Sequence, residues 1–202
     1  MKKKEAKKRY SFDLHSEYKQ SWKYLRDSRK FIYFAIGIFV LFALIGFFIP
    51  APQIIHDKII SFIKSILNQT QNMPQLDLIS FIISNNVKST FLGLFTGVFF
   101  GVYPLVSALA NGYLLGFVSA ISVSNGGILE LWKIFPHGIF ELPAVFISLG
   151  LGLKMGTAIF RKKRWESFKN YLVNSLKSFL LIVIPLLIIA GIIEGTLMIL
   201  IK

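Results

Sequence analysis

Apolar residues in this chain gather into long blocks instead of alternating, and short stretches rich in proline, asparagine and glycine separate the blocks. The first block, Phe31 to Ile49, is close to the ~20 residues a helix needs to cross a ~30 Å hydrocarbon core, and Pro50 and Pro52 close it. From Ile54 to Leu67, the apolar positions Ile54, Ile55, Ile59, Phe62, Ile63, Ile66 and Leu67 recur at helical spacing opposite Asp57, Lys58, Lys64 and Ser65. That pattern predicts an amphipathic helix too polar to span. A second short amphipathic stretch, Leu76 to Ile83, leads to Asn85-Asn86, so the whole of 54–83 reads as interfacial. Val87 to Val123 is too long for one crossing and is broken at Gly101-Val102-Tyr103-Pro104, which predicts helices over 87–103 and 105–123. A polar turn at 122–127 and an interfacial segment at 128–135, anchored by Trp132, precede a crossing at 138–156; the fifth crossing is 178–201. The expected fold is all-α: an integral membrane bundle of about five transmembrane helices plus an amphipathic interfacial helix, occupying 31–202 behind a basic arm at 1–30.

Within the blocks, small residues repeat at four-residue spacing. Gly93, Gly97 and Gly101 lie on one face of the second crossing, and Ala108, Gly112 and Gly116 on one face of the third. This pattern lets helix backbones approach closely in lipid. It predicts a body made of helices two to five, with helix one and the basic arm more peripheral.

Composition supports the membrane reading and charge orients it. The 202 residues are 54% hydrophobic, with a mean hydropathy of +0.61, far too apolar for an ordinary water-soluble domain. The net charge of +13 is concentrated in 2–30 and 154–177, beside apolar blocks and on no recognisable reader fold, so it points to a cytoplasmic membrane face and away from nucleic acid. Five crossings put both basic clusters inside and leave 50–86, 122–135 and the carboxyl terminus outside. Four or six would separate the clusters. The amino-terminal region does not read as a cleavable signal peptide, because the apolar segment is too long and lacks a small-residue cleavage site. Tyr10, Phe12, Leu14, Tyr18, Trp22 and Leu25 thread an apolar stripe through the arm, consistent with a helix on the anionic inner leaflet or with a solvated tail. The absence of cysteine excludes a disulfide framework and any thiolate metal site.

The candidate chemistry lies in Phe135 to Ala144, where His137 and Glu141 are four residues apart on one helical face, between Pro136 and Pro143 and among Leu142, Val145, Phe146 and Leu149. A carboxylate among hydrocarbon needs a partner or a function. At ~1.5 Å per residue, the expected helix boundaries place Glu141 about 5 Å below the outer boundary and Glu194 about 24 Å above the inner one, at similar depth. Asn85, Asn86 and His137 fall near the outer boundary and could share one cavity, while Asn111 lies lower, about 9 Å above the inner boundary. Three readings remain open. The set is polar glue between helices; or Glu141 and Glu194 line a solute, proton or ion path; or His137, Glu141 and Glu194 are ligands of an intramembrane metal hydrolase. The last is weakest, since a His-Glu-x-x-His motif is absent and no serine, histidine and acid set stands at matched depth. No catalytic residue, cofactor or metal is therefore assigned. His15 and His56 fall in surface segments.

The nonapeptide Pro136-His137-Gly138-Ile139-Phe140-Glu141-Leu142-Pro143-Ala144, with Asn86, the Gly97/Gly101 pair, Asn111-Gly112, Leu115-Gly116 and Ile193-Glu194 in the same order, resembles the stage II sporulation protein M family. The resemblance covers roughly residues 30–202. It implies a five-helix polytopic membrane protein with a non-enzymatic role. In endospore formers the family member holds the peptidoglycan-degrading stage II proteins D and P at the septal membrane during engulfment. Nothing in these residues identifies a sporulating host. The expectation is a plasma-membrane scaffold or assembly factor that organises envelope-remodelling partners. Its expected partners are the lipid bilayer and other membrane or envelope proteins. A small homo-oligomeric channel or transporter built on Glu141 and Glu194 is the alternative.

Overall fold

Inside a bilayer no water is available to pair with backbone N–H and C=O groups, so a chain this apolar must satisfy them within helices. The described residues do so along most of their length. The structure, a computed structural model, describes residues 13–128 and 131–200, with the side chains of 131–137 and 199 outside that description. The helices are α1 (Leu14–Phe48), α2 (Gln53–Thr70), α3 (Gln75–Phe95), α4 (Val102–Gly126), α5 (Leu131–Gly156), α6 (Arg164–Ser178) and α7 (Ile184–Leu200). Among the described residues there is no strand. Five stretches are long and apolar enough to span a membrane: Leu14–Phe48, Gln75–Val98, Val102–Gly126, Gly138–Phe160 and Arg164–Met198. The protein is an all-α integral membrane bundle.

Helix ends differ from those expected, each for a local reason. α1 begins at Leu14, capped by the Asp13 carboxylate accepting from the His15 N–H at 3.1 Å. Half of the basic arm is thus a rigid extension of the first crossing, and residues 1–12 lie outside the described set. α3 begins after Pro74, not at Val87, so 76–86 belongs to a spanning helix and only α2 remains of the expected interfacial segment. The turn between α3 and α4 falls at Phe99–Gly101, where Phe100 and Gly101 have φ of 58° and 72°. Pro104 is not the breaker: it sits in the first turn of α4, where its missing N–H costs nothing. α5 starts at Leu131, taking in residues 131–135 of the expected interfacial segment, although the Trp132 anchor lies among the undescribed side chains. α6 runs into α7 through a π-helical turn, Phe179–Val183, directly before Pro185. A wider turn at that point accommodates the backbone bond that Pro185 cannot make.

α5 is the most enclosed of the five spans and packs against α1, α3, α4, α6 and α7. Glycines set these approaches. A Cβ at Gly97 would run into the backbone of Gly152, one at Gly152 into the carbonyls of Gly93 and Leu94, and one at Gly150 into Ile32. α1 is not peripheral. Its longest contact is with α4, where Gly46 lies on Tyr113 and Phe117, Gly112 on the Phe39 backbone, and Gly116 on Ala43 and Phe47. The tyrosine, phenylalanine and β-branched residues of α1 obscure this in the sequence, because the small faces belong mostly to its partner. Leu94, Leu149, Leu151, Met155, Val183 and Leu187 fill the buried centre.

Gly97→Ala should therefore destabilise the bundle by about 1–3 kcal/mol, the usual cost of overpacking. Gly37, which has nothing within 4 Å of a built Cβ, should tolerate alanine or gain about 0.5–1 kcal/mol from its helix preference. Thermal unfolding of both variants in detergent checks the pair, and equal transitions would contradict the backbone contact.

Candidate functional site

The longer helices move the polar residues to new depths. Packing gives the register: Gly191 and Gly195 of α7 meet Ile83 and Ile79 of α3, and Gly93 of α3 meets Leu149 of α5. Glu141 is thus level with Asn85, and Glu194 with Ser80. The two carboxylates, expected at one depth, are separated by about 8 Å along the bundle axis at ~1.5 Å per residue. Asn85 and Asn86 lie within the spanning part of α3, not at its boundary. The Asn86 carbonyl accepts from the Thr90 hydroxyl at 2.6 Å.

Glu141 is half-buried and engaged by a neighbour, so it is not a bare carboxylate. Glu194 is also half-buried, between two glycines that press α7 onto α3, and it makes no hydrogen bond or ion pair with the described residues. The backbone at Pro136 and His137 is helical, and their side chains lie outside the described set. Pro143 is exposed on the bundle surface. Asn111 faces outward from α4, its amide donating to the Ser107 carbonyl at 2.8 Å and to the Ser107 hydroxyl at 3.1 Å. No three His, Cys, Asp or Glu among the described residues are placed to hold a metal ion. The metal reading also used His137, whose side chain is not described.

Two lysines that the sequence pattern hid stand out. Lys88 lies about 20 Å along α3 from Gln75 and about 15 Å from Val98 at ~1.5 Å per residue, which is mid-span. Through the contacts of Gly93 with Leu149 and of Gly150 with Ile32, it is level with Ala144 on α5 and Ile38 on α1. Its side chain is exposed, on a face it shares with Ser84 and turned away from the buried Leu78, Ile82 and Gly93. It has no carboxylate or hydrogen-bond partner among the described residues. A four-carbon stem cannot reach an interface about 15 Å away, so on a lipid-facing surface this ammonium would cost about 2.5–3.5 kcal/mol. A single lysine did not interrupt the apolar run, but Ser84 and Lys88 at i, i+4 were the signal.

Lys154 solves the same problem internally. It is 8% exposed, donates to the Ser28 hydroxyl at 2.8 Å, and sits 3.8 Å from the Tyr24 ring centroid and 5.3 Å from that of Tyr171. The Ser28 hydroxyl donates to the Tyr24 carbonyl at 2.6 Å. The Tyr24 hydroxyl in turn lies 3.2 Å from the Ser175 hydroxyl and 3.3 Å from the Tyr171 carbonyl. One cation thereby ties α1, α5 and α6 together, and Glu17 and Lys177, 2.6 Å apart, pin α1 to α6 again. In the sequence Lys154 reads as the first residue of a solvated basic cluster. Its position four residues after Gly150, on the packed face, was the clue.

Five crossings, a glycine-packed central helix and an intramembrane polar set define a polytopic helical membrane protein. It belongs to the stage II sporulation protein M family, whose model matches residues 35–197. The chain is also similar to two uncharacterized proteins of Methanocaldococcus jannaschii. One is 34% identical over 113 residues, covering 51% of this chain and 64% of that protein. The other is 28% identical over 174 residues, covering 82% of this chain and 76% of that protein. No solved structure is a significant match.

If the ammonium of Lys154 interacts with the Tyr24 ring, a double-mutant cycle of Lys154→Met with Tyr24→Leu should return a coupling of about 1–2 kcal/mol in unfolding free energy. Additive single effects would remove that interaction from the account of the fold.

Proposed function

We propose that this protein is a non-enzymatic membrane scaffold or assembly factor that engages another membrane or envelope protein along α2 and the outward face of α3. The observation that carries the reading is Lys88, an exposed ammonium at mid-span with nothing among the described residues to compensate it. A protein surface offering an acceptor or carboxylate at that depth removes the cost, as buried polar groups in membranes generally require. α2 leads directly into this face. It has no extended packing against another helix, and Ile54, Phe62 and Leu67 are exposed along it. Its tie to the bundle is the His56 ring set edge-on to Phe117 at 5.5 Å. Membership in a family that is not a known enzyme family supports a binding role.

The orientation we infer puts the basic end of the bundle in the cytoplasm, where the start of α1, the end of α5 and the start of α6 carry their Lys and Arg. α2 and the carboxyl terminus then face outside. A second reading, a homo-oligomeric channel or transporter, draws on Glu194, a half-buried carboxylate without a partner among the described residues. In that case wild type should carry solute or ion flux in proteoliposomes that Glu194→Gln abolishes, and wild-type vesicles no leakier than empty ones would reject it.

Crosslinking in native membranes followed by mass spectrometry tests the scaffold. Wild type and Glu141→Gln should capture one discrete partner, while Phe62→Asp and Lys88→Leu should each lose most of it. Undiminished capture by both of these variants would overturn the reading, and self-crosslinks alone would favour the oligomer. Orientation is checked separately, because the native chain has no cysteine. An impermeant maleimide should label Ser61→Cys on intact cells and Lys162→Cys only after lysis.

A further inference from the structure

Beside the contact between α1 and α5 lies a groove of about 320 Å³, lined by Trp22, Leu25, Arg26, Arg29, Ile32, Tyr33 and Ile147. Trp22, Arg26, Arg29 and Tyr33 follow one another at spacings of four, three and four residues, so they form one stripe of the helix. Both guanidiniums are exposed, and neither is paired with a carboxylate among the described residues. Asp27, between them in sequence, lies within electrostatic range of Lys154 instead.

The groove's depth is fixed by the contact of Gly150 with Ile32. Antiparallel register then sets Arg29 level with Leu153, one turn before α5 ends at Gly156. The arginines therefore sit where the spanning segment meets the basic end. Ile32 continues the groove one turn deeper into the apolar span, and Ile147, level with Ala35, nearly two turns deeper. Its occupant must be anionic at one end and hydrocarbon at the other.

We infer that this groove binds one acidic phospholipid, with Arg26 and Arg29 on its phosphate and an acyl chain along Ile32 and Ile147. Guanidinium forks match phosphate oxygens, and an aromatic on either side is the usual companion of a headgroup layer. The apolar wall distinguishes the lipid from free phosphate, which would gain nothing from it.

Native mass spectrometry of the full-length protein in detergent, titrated with phosphatidylglycerol or phosphatidylcholine, tests the assignment. Wild type should retain one phosphatidylglycerol, at least about tenfold more tightly than phosphatidylcholine. Arg26→Gln/Arg29→Gln should lose that preference, and Lys162→Gln/Lys163→Gln, which removes the same charge from an exposed site at the same end, should keep it. Both arginines are exposed, so the first variant should retain its thermal transition; if it does not, Trp22→Glu, which places a carboxylate in the groove, should give the same loss. Equal loss in the lysine control would show general charge attraction and overturn the site. Displacement of the lipid by glycerophosphate at matched concentration would identify a free-phosphate site and overturn the lipid assignment.

Discussion

The contact between Gly97 of α3 and Gly152 of α5, backbone against backbone, is what the rest of the bundle is built around. Lipid tails are as apolar as leucine, so helices gain little by hiding hydrocarbon from them and must associate through close packing. α5 supplies that packing in several directions. Gly150 admits α1, Gly152 admits α3 and the Pro104 ring of α4, and Gly156 admits the turn at Gly101. A helix with small residues facing several neighbours has to be central, and its position fixes the other four crossings around it. It also explains why Lys154 is buried. The residue lies one turn beyond Gly150 on the face that meets α1, so the ammonium enters the protein with the packed face and must be solvated there by Ser28 and Tyr24.

Much of the architecture is legible because lipid leaves few alternatives. The number of crossings follows from block length, and the glycine faces of α3 and α4 follow from their spacing. What misled was hydropathy used as a marker of helix ends. Backbone hydrogen bonding continues through polar residues if they face the right way, so α1 extends down to Leu14 through its basic turns, α3 extends through Asn85 and Asn86, and α6 runs on into α7. Proline misled in a related way: Pro104, expected in the break between two helices, lies in the first turn of one. Each shift of a boundary moved a polar residue in depth, which is why Glu141 and Glu194 part company. Their pairing was an inference from boundaries, and it inherited the boundary error.

Lys88 and Lys154 show where the fold is self-sufficient and where it is not. Lys154 has a hydroxyl donor relay, two tyrosine rings and a place among three helices, all from its own chain. Lys88 has the same charge at a more apolar depth and receives none of this from the described residues. A fold able to shelter one ammonium so fully is not constrained to leave the other bare. The neighbours of Lys88 could have been polar residues on α5 or α7, yet α3 turns it outward with Ser84 and keeps Leu78, Ile82 and Gly93 for its own bundle. The stability that α3 forgoes by carrying a charge there is not recovered from any described residue of its own chain. On the proposed scaffold role, a partner surface at that depth would meet the cost.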